Sequence, residues 1–332
     1  MKQYSNIYFV GAGGIGMAAL ERYFLAKGKH VAGYDRTPSD LTAALRSEGI
    51  DIVFSDDPAL IPAGMLSPAE SLVVYTPAVG NDNQILTRFR SLGFDPVKRA
   101  KVLGMITMEE KGICFAGTHG KTTTSSMAAH LLHNTPAGCN AFLGGVLRNY
   151  STNFLLDDNS PFCVIEADEY DRSFHHLRPW IAVITSTDPD PLDIYHTEEA
   201  YLESFRHFTS LVAEGGTLII HTGLKLQPAP AKGVRLLTYS KEGPSDYYAA
   251  DIRRNSGTIT FTLVTPDRRI EGIELGVPVE INIENAVAAL AAVDAAGQLD
   301  PESARRSMAS FMGPKRRFEF HLKEAGENGR AI

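Results

Sequence analysis

The stretch Ile113 to Thr124, ICFAGTHGKTTT, holds the densest group of chemically useful residues in this 332-residue chain. An apolar run, Ile113-Cys114-Phe115, enters a glycine-flanked loop that ends in Gly120-Lys121-Thr122 and passes into small, helix-compatible residues. That order reads as strand, phosphate loop, helix. Backbone N–H groups of such a loop converge on an anion at the helix N-terminus, where the dipole is positive. Lys121 is placed to reach the β- and γ-phosphates of a nucleotide, and the Thr122 hydroxyl to ligate Mg²⁺. Phe115 stands where G-x-x-x-x-G-K-[ST] has its first Gly. The competing reading is therefore a plain glycine-bounded turn with a surface lysine. Nucleoside triphosphate binding is the stronger of the two.

Acids follow at two strand ends. FCVIE (162–166) closes on Glu166, with Asp168, Glu169 and Asp171 just beyond, and WIAVITST (180–187) runs into Asp188, Asp190 and Asp193. Mg²⁺ takes oxygen ligands and often only one or two protein carboxylates beside phosphates and water. Glu166, the last residue of an apolar strand, is the expected metal ligand together with Thr122, and Asp168 is the next candidate. The other acids read as caps and solvated charges.

A second glycine cluster opens the chain. Asn6–Val10 leads into Gly11-Ala12-Gly13-Gly14-Ile15-Gly16, then a helix, then His30–Tyr34 ending at Asp35. Strand, G-x-G-G-x-G, helix, strand, acid is a diphosphate-binding fingerprint. Its glycines permit a tight turn and close backbone approach, and its acid lies about 20 residues on. Thr76-Pro77-Ala78 follows the strand SLVVY at the sheet's C-terminal edge, where ligands of such sheets sit.

These sites require an α/β fold. The expectation is an N-terminal Rossmann-like parallel-sheet domain over 1–106, then a central P-loop α/β domain from 107 with a small additional antiparallel sheet. That sheet is drawn from VRLLTYS, YYAADIRR, GTITFTLVTP, IEGIELG and VEINI between residues 234 and 283. Residues 134–160 read mostly as loop, with Gly144-Gly145 as its close-approach point. Helices are expected over Glu284–Ala296, with Asn285 near the start, and over Pro301–Phe311. With 44% hydrophobic and 21% charged residues the composition is that of a globular protein, and a net charge of −7 argues against nucleic-acid or membrane-surface binding. Cys114, Cys139 and Cys163 have no C-x-x-C spacing and read as reduced core residues. The apolar N-terminal segment is too short for a membrane span, and a cytoplasmic location is expected.

Six motifs, in order, resemble the Mur ligases, the ATP-dependent amide-forming enzymes of peptidoglycan synthesis. They are GAGGIGM (Gly11–Met17), AGTHGKTTT (Ala116–Thr124), CNAFLGG (Cys139–Gly145), EADEYDRSF (Glu166–Phe174), ENAVAA (Glu284–Ala289) and GPKRRFE (Gly313–Glu319). The resemblance implies three domains, of which this sequence matches two: a UDP-substrate domain (1–106) and an ATP-binding domain (107–322). Residues 323–332 would begin a C-terminal ligase domain, so this chain is expected to be a truncated form that binds ATP without completing turnover. The chemistry implied is attack of a substrate carboxylate on the γ-phosphate of ATP, followed by attack of an amine on the acyl phosphate. Gly117, Thr118, His119, Gly120, Lys121, Thr122 and Thr123 would bind ATP, with Asn285 at the adenine and Arg317 at the nucleotide. Thr122 and Glu166 would hold Mg²⁺. Gly11, Ala12, Gly13, Gly14, Ile15, Gly16, Asp35, Thr76, Pro77 and Ala78 would bind UDP-N-acetylmuramate. The amine substrate implied is L-alanine, which GAGGIGM and CNAFLGG favour over a recycled murein peptide.

One departure stands out. Where the family reads D-H-[LM]-D, with the His serving a second Mg²⁺, this chain has Asp190-Pro191-Leu192-Asp193. Proline offers no ligand, and His196 lies five residues on, so the second metal is expected to be weakened. An oxidoreductase would explain the first glycine motif but not Lys121 or Glu166. A non-catalytic nucleotide-binding module would explain both glycine motifs and Pro191.

Overall fold

The structure is a computed structural model that describes residues 1–315 other than 2, 81 and 189–194. Pro191, its neighbouring acids, Arg317 and residues 323–332 lie outside the described residues. The chain divides into two compact units, Met1–Ile106 and Thr107–Ile332.

In the first unit β1 (Asn6–Val10) leads through the glycine turn to α1 (Ile15–Ala26), β2 (His30–Tyr34), α2 (Asp40–Ser47), β3 (Asp51–Val53), β4 (Ser71–Tyr75), α3 (Gln84–Ser91) and β5 (Val97–Lys98), and α4 (Arg99–Glu109) runs across the boundary at Ile106. The strands form one sheet in the order β3-β2-β1-β4-β5, and every pair is parallel. β1 is covered on both faces, with Ile7, Phe9 and Val10 fully buried, as a strand sandwiched by crossover helices must be. The order of strands reverses between β1 and β4, so the crevice beyond their C-terminal ends is where a ligand fits.

The second unit continues with β6 (Lys111–Ala116), α5 (Lys121–His133), β7 (Asn140–Leu147), β8 (Thr152–Leu155), β9 (Phe162–Glu166), β10 (Ile181–Ile184), α6 (Glu198–Ser210), β11 (Thr217–His221) and β12 (Arg235–Tyr239). Then come β13 (Tyr248–Asn255), β14 (Thr258–Val264), β15 (Arg269–Glu274), α7 (Ile281–Ala295) and α8 (Pro301–Ser310). The central sheet runs β12-β11-β10-β6-β9-β7-β8 and is parallel except at its β7–β8 edge, while β13-β14-β15 form a separate antiparallel sheet. α7 is buried almost throughout, from Ile283 to Val293, and an Ala-rich helix suits that packing. Cys114, Cys139 and Cys163 are buried free thiols, and burial pushes all three up in pKa. Among the described residues no helix is long and apolar enough to cross a membrane.

Two expectations are corrected and one is refined. Residues 134–160 are mostly loop, as expected, but they also hold the strands β7 and β8. The glycines that suggested a loop stand in a strand whose backbone lies close to other groups. VRLLTYS joins the central sheet as β12, parallel to β11 and partly exposed at its edge, and its composition does not tell a parallel from an antiparallel partner. VEINI lies at the start of α7, since so short an apolar run fits either period.

Candidate functional site

β6 delivers the chain to the phosphate loop at Ala116. Gly117 follows at φ +141°, where an added Cβ would lie 2.1 Å from Thr185 Oγ1, so no larger residue fits. The loop is tied down on one side by the residues after β10. Thr185 Oγ1 donates to His119 O at 2.5 Å, the His119 N–H donates to Ser186 Oγ at 2.8 Å, and the Thr118 N–H donates to Ser186 O at 3.2 Å. Thr118 Oγ1 donates to Asp188 O at 2.6 Å and lies 2.7 Å from the Tyr201 hydroxyl. Gly120, at φ +83°, turns the chain into α5.

The N-terminus of α5 has no side-chain cap and no acid in its first turn. α2, α3, α6 and α8 are capped by Ser39, Asn83, Thr197 and Asp300, and α7, though uncapped, carries Glu284 in its first turn. A positive helix end without its own anion is a seat for one from outside.

Lys121 Nζ donates to Gly117 O at 2.6 Å and to Glu169 Oε1 at 2.8 Å, with Glu169 Oε2 also 2.8 Å away. Burial pushes the Glu169 carboxyl above its ordinary value, and the Lys121 contact pulls it part of the way back. Thr122 Oγ1 donates to Glu166 Oε1 at 2.9 Å, and Glu166 Oε2 accepts from the Gly144 N–H at 2.9 Å. β7 approaches so closely that a Cβ on Gly144 would lie 2.3 Å from Glu166 Oε2. Asn285 is buried beneath the loop, accepting from Thr124 Oγ1 at 3.3 Å and donating to Asn282 Oδ1 at 3.1 Å. Asp168 accepts from the Tyr170 N–H at 3.0 Å and so closes a local turn.

Among the described residues no group of three or more His, Cys, Asp or Glu side chains could hold a metal. Thr122 and Glu166 offer two oxygens side by side. That donor set is too small for a protein-only cage and suits Mg²⁺ that arrives with phosphate and water oxygens.

The first unit carries its own candidate site, a 570 Å³ cavity beyond β1, β2 and β4. Gly11, Gly13, Gly14, Asp35, Thr76 and Ala78 line it, together with Tyr34, Arg36, Asp56 and Asn83. Asp35 Oδ2 accepts from the Gly13 N–H at 2.6 Å and Oδ1 from the Thr37 N–H at 3.0 Å, so the acid at the end of β2 braces the glycine turn. α1 starts at this turn with no side-chain cap and no acid in its first turn. Ala12, Ile15, Gly16 and Pro77 are not among the lining residues. Ala12 is buried, Ile15 is exposed, and Gly16 packs against Arg99.

Reading the sequence did not single out Glu169, Thr185, Ser186 or Tyr201. Glu169 sits in an acidic run whose spacing does not tell which carboxylate turns inward, and the Thr and Ser follow an apolar strand with no signal beyond their type.

A parallel sheet with a braced glycine turn, and a second sheet with an uncapped phosphate-loop helix, together define an α/β nucleotide-binding protein of two units. Residues 6–111 match the Mur ligase family, catalytic domain, and residues 115–293 match the Mur ligase middle domain. The UDP-N-acetylmuramate–L-alanine ligase of Parabacteroides distasonis is 58% identical over 96% of this chain and 68% of its own length. The enzyme of the same description from Porphyromonas gingivalis is 54% identical over 95% of this chain and 69% of its own length. Among solved structures, the UDP-N-acetylmuramate-alanine ligase of Thermotoga maritima superposes with a TM-score of 0.77 at 25% identity, covering 96% of this chain and 71% of that one. The chain belongs to the Mur ligase family, and by that membership it is a ligase.

Proposed function

We propose that this chain binds ATP at Gly117–Thr123 and UDP-N-acetylmuramate at the cavity of its first unit, in the cytoplasm, for ligation of L-alanine through an acyl phosphate. The observation that carries the reading is the Thr122 hydroxyl at the uncapped start of α5, 2.9 Å from the strand-end carboxylate of Glu166. The identity to relatives described as UDP-N-acetylmuramate–L-alanine ligases supports the choice of substrates.

A carboxylate is a poor electrophile because oxide would have to leave. Transfer of the γ-phosphoryl group from ATP to it gives an acyl phosphate and ADP, and an incoming amine then expels inorganic phosphate to form the amide. Little covalent work falls to the protein, whose tasks are positioning and charge neutralisation. The Lys121 amine would neutralise phosphate oxygens, and the loop amides from Thr118 to Thr122 would orient them. Thr122 and Glu166 would hold Mg²⁺, which when bound supplies further charge neutralisation at the phosphates. Asn285 and Arg317 are proposed toward the nucleotide. In the first unit the turn at Gly11–Gly16, braced by Asp35, would take the UDP diphosphate, with Thr76–Ala78 beside it.

Calorimetric titration tests this on the chain as it stands. Removing Lys121 with Lys121→Ala deletes a charge-assisted contact, and ATP affinity is expected to fall by about 10- to 100-fold with UDP-N-acetylmuramate binding unchanged. Equal ATP affinity in both forms, or tight NADH binding at the first-unit cavity, would refute the reading.

A further inference from the structure

Beyond the uncapped start of α5, several donors that a triphosphate would need are already engaged within the protein. The His119 N–H is held by Ser186 Oγ, the Thr118 N–H by Ser186 O, and the Thr122 hydroxyl by Glu166. Lys121 has three N–H donors; it donates to Gly117 O at 2.6 Å and to Glu169 Oε1 at 2.8 Å, and Glu169 Oε2, 2.8 Å from the amine as an ion pair, has no hydrogen-bond partner. The Lys121 and Glu169 side chains are only 14% and 15% exposed, so water screens their attraction weakly. Glu169 thus occupies, with respect to Lys121, the place of an anionic phosphate.

The surroundings aim Glu169 there. Its carbonyl accepts from the Tyr195 hydroxyl, which lies 3.2 Å from Ser204 Oγ, and that oxygen is 2.9 Å from His175 Nε2. The Tyr195 ring packs edge-on against Tyr201 at 5.0 Å, and the Tyr201 hydroxyl touches Thr118 Oγ1 at 2.7 Å. α6, through Tyr201, touches the phosphate loop and, through Ser204 and the Tyr201 ring, packs against the Tyr195 that holds the Glu169 backbone. Just beyond Glu169, Asp171 (φ 50°) and Arg172 (φ 54°) stand in succession in the left-handed region, which residues with a Cβ adopt singly when at all and which is costly for the arginine. The Arg172 N–H donates to Glu169 O at 3.0 Å, so this unfavourable turn closes directly on the residue it presents.

We propose that Glu169 is the positioning residue of Lys121. Its carboxylate holds the lysine amine in the nucleotide-free protein, and a bound polyphosphate must take the amine from it. The proposal rests on reading Gly117–Thr123 as a phosphate site. A carboxylate 2.8 Å from the amine repels an arriving phosphate, so the measured affinity is the intrinsic one reduced by the fraction of molecules in which the pair is open. A residue with a merely structural role would, when altered, weaken binding. A competing anion, when neutralised, strengthens it.

The test uses Glu169→Gln in the full chain, which keeps the shape and one acceptor oxygen and removes the charge. With inorganic tripolyphosphate and with ATP lacking Mg²⁺, affinity by calorimetry is expected to rise roughly tenfold, the worth of one charged hydrogen bond. Acetylation of Lys121 by an N-hydroxysuccinimide ester, followed by peptide mass spectrometry without ligand, is expected to run several-fold faster in Glu169→Gln. Tyr195→Phe, which removes one of the two hydrogen bonds to the Glu169 carbonyl but leaves the side-chain charge, should shift both readouts in the same direction by less. The proposal is overturned if the unaltered protein binds tripolyphosphate and Glu169→Gln binds it no tighter, or if Lys121 labelling is unchanged. Tighter ATP binding only in the presence of Mg²⁺ would also overturn it, since the carboxylate would then be acting at the metal. If the unaltered protein binds neither tripolyphosphate nor ATP while labelling accelerates as expected, it is the phosphate-site reading that fails, and the competition proposed here goes with it.

Discussion

Glu21 offers the sharpest test of the energetics of the first unit. It lies on the inner face of α1 with 0% exposure, and neither carboxylate oxygen has a hydrogen-bond partner. The neighbouring cation, Arg22, is committed to Glu48 through two contacts of 2.8 Å. Burial pushes the Glu21 carboxyl well above its ordinary value; Arg22 opposes this, and Asp35 and Glu48 add to it. A carboxyl group raised in the folded state binds more protons there than in the unfolded chain, so stability must fall as pH rises. The decline begins near the unfolded value of about 4.3 and continues at up to ~1.4 kcal/mol per pH unit until the folded value is passed. Glu21→Met keeps the length and helix propensity and removes both the titration and the unmet polar atoms. Even against the protonated acid the gain is expected to be ~1–3 kcal/mol, and it should widen by a further ~1.4 kcal/mol per pH unit above that point. Native-state hydrogen exchange of the β1 amides, compared between the two proteins at pH 5, 6 and 7, reads this directly. Parallel stability–pH curves, or a Met variant less stable than the parent at pH 7, would refute the reasoning.

The second unit should respond to acid instead. His130 is buried between the Tyr150 hydroxyl (2.7 Å) and Ser310 Oγ (3.0 Å), and burial lowers its pKa to about 4. A depressed folded value stabilises above the unfolded value of about 6.5 and is lost below it, so acidification towards pH 4 should remove ~3 kcal/mol. Trp180 fluorescence in urea titrations should show that loss, and His130→Phe should lack it. Gly144→Ala would put a Cβ 2.3 Å from Glu166 Oε2. The carboxylate must move, and the gain in ATP affinity on adding Mg²⁺ is expected to shrink by about tenfold or more, the worth of one charged contact; calorimetry with and without Mg²⁺ checks it.

Much of the fold was legible because its punctuation is glycine. Gly11, Gly117 and Gly120 all have positive φ, and two of them stand where a Cβ would strike Thr76 or Thr185. Such turns leave a signature that residue type alone reveals. Gly144 misled for the same reason. It has no positive φ and stands within β7, where glycine is needed for the approach to Glu166 and not for a turn. A sequence shows that a backbone must lie close to something but not whether it does so as loop or strand. The acids show a parallel limit. Glu166 ends its strand and is placed by it, whereas Glu169 meets Lys121 from a turn in which Asp171 and Arg172 adopt left-handed backbone that the sequence pattern does not announce.

The two glycine turns share one device, an uncapped helix N-terminus with no acid in its first turn, yet their free states differ. In the first unit Asp35 spends one oxygen on the Gly13 N–H and one on the Thr37 N–H, bracing the turn while a 570 Å³ cavity stays beside it. In the second, Glu169 and Ser186 engage the lysine and the loop amides themselves. A ligand of the first turn therefore meets a preorganised surface, and its affinity should vary with the contacts it makes. A ligand of the second must, besides meeting the uncapped helix start, exchange partners at the lysine and at the Thr118 and His119 amides, so its affinity should vary also with what the protein gives up. A substitution that touches no ligand, at Glu169, should for that reason move nucleotide affinity by about as much as one charged contact within the loop, and one at Tyr195 by less.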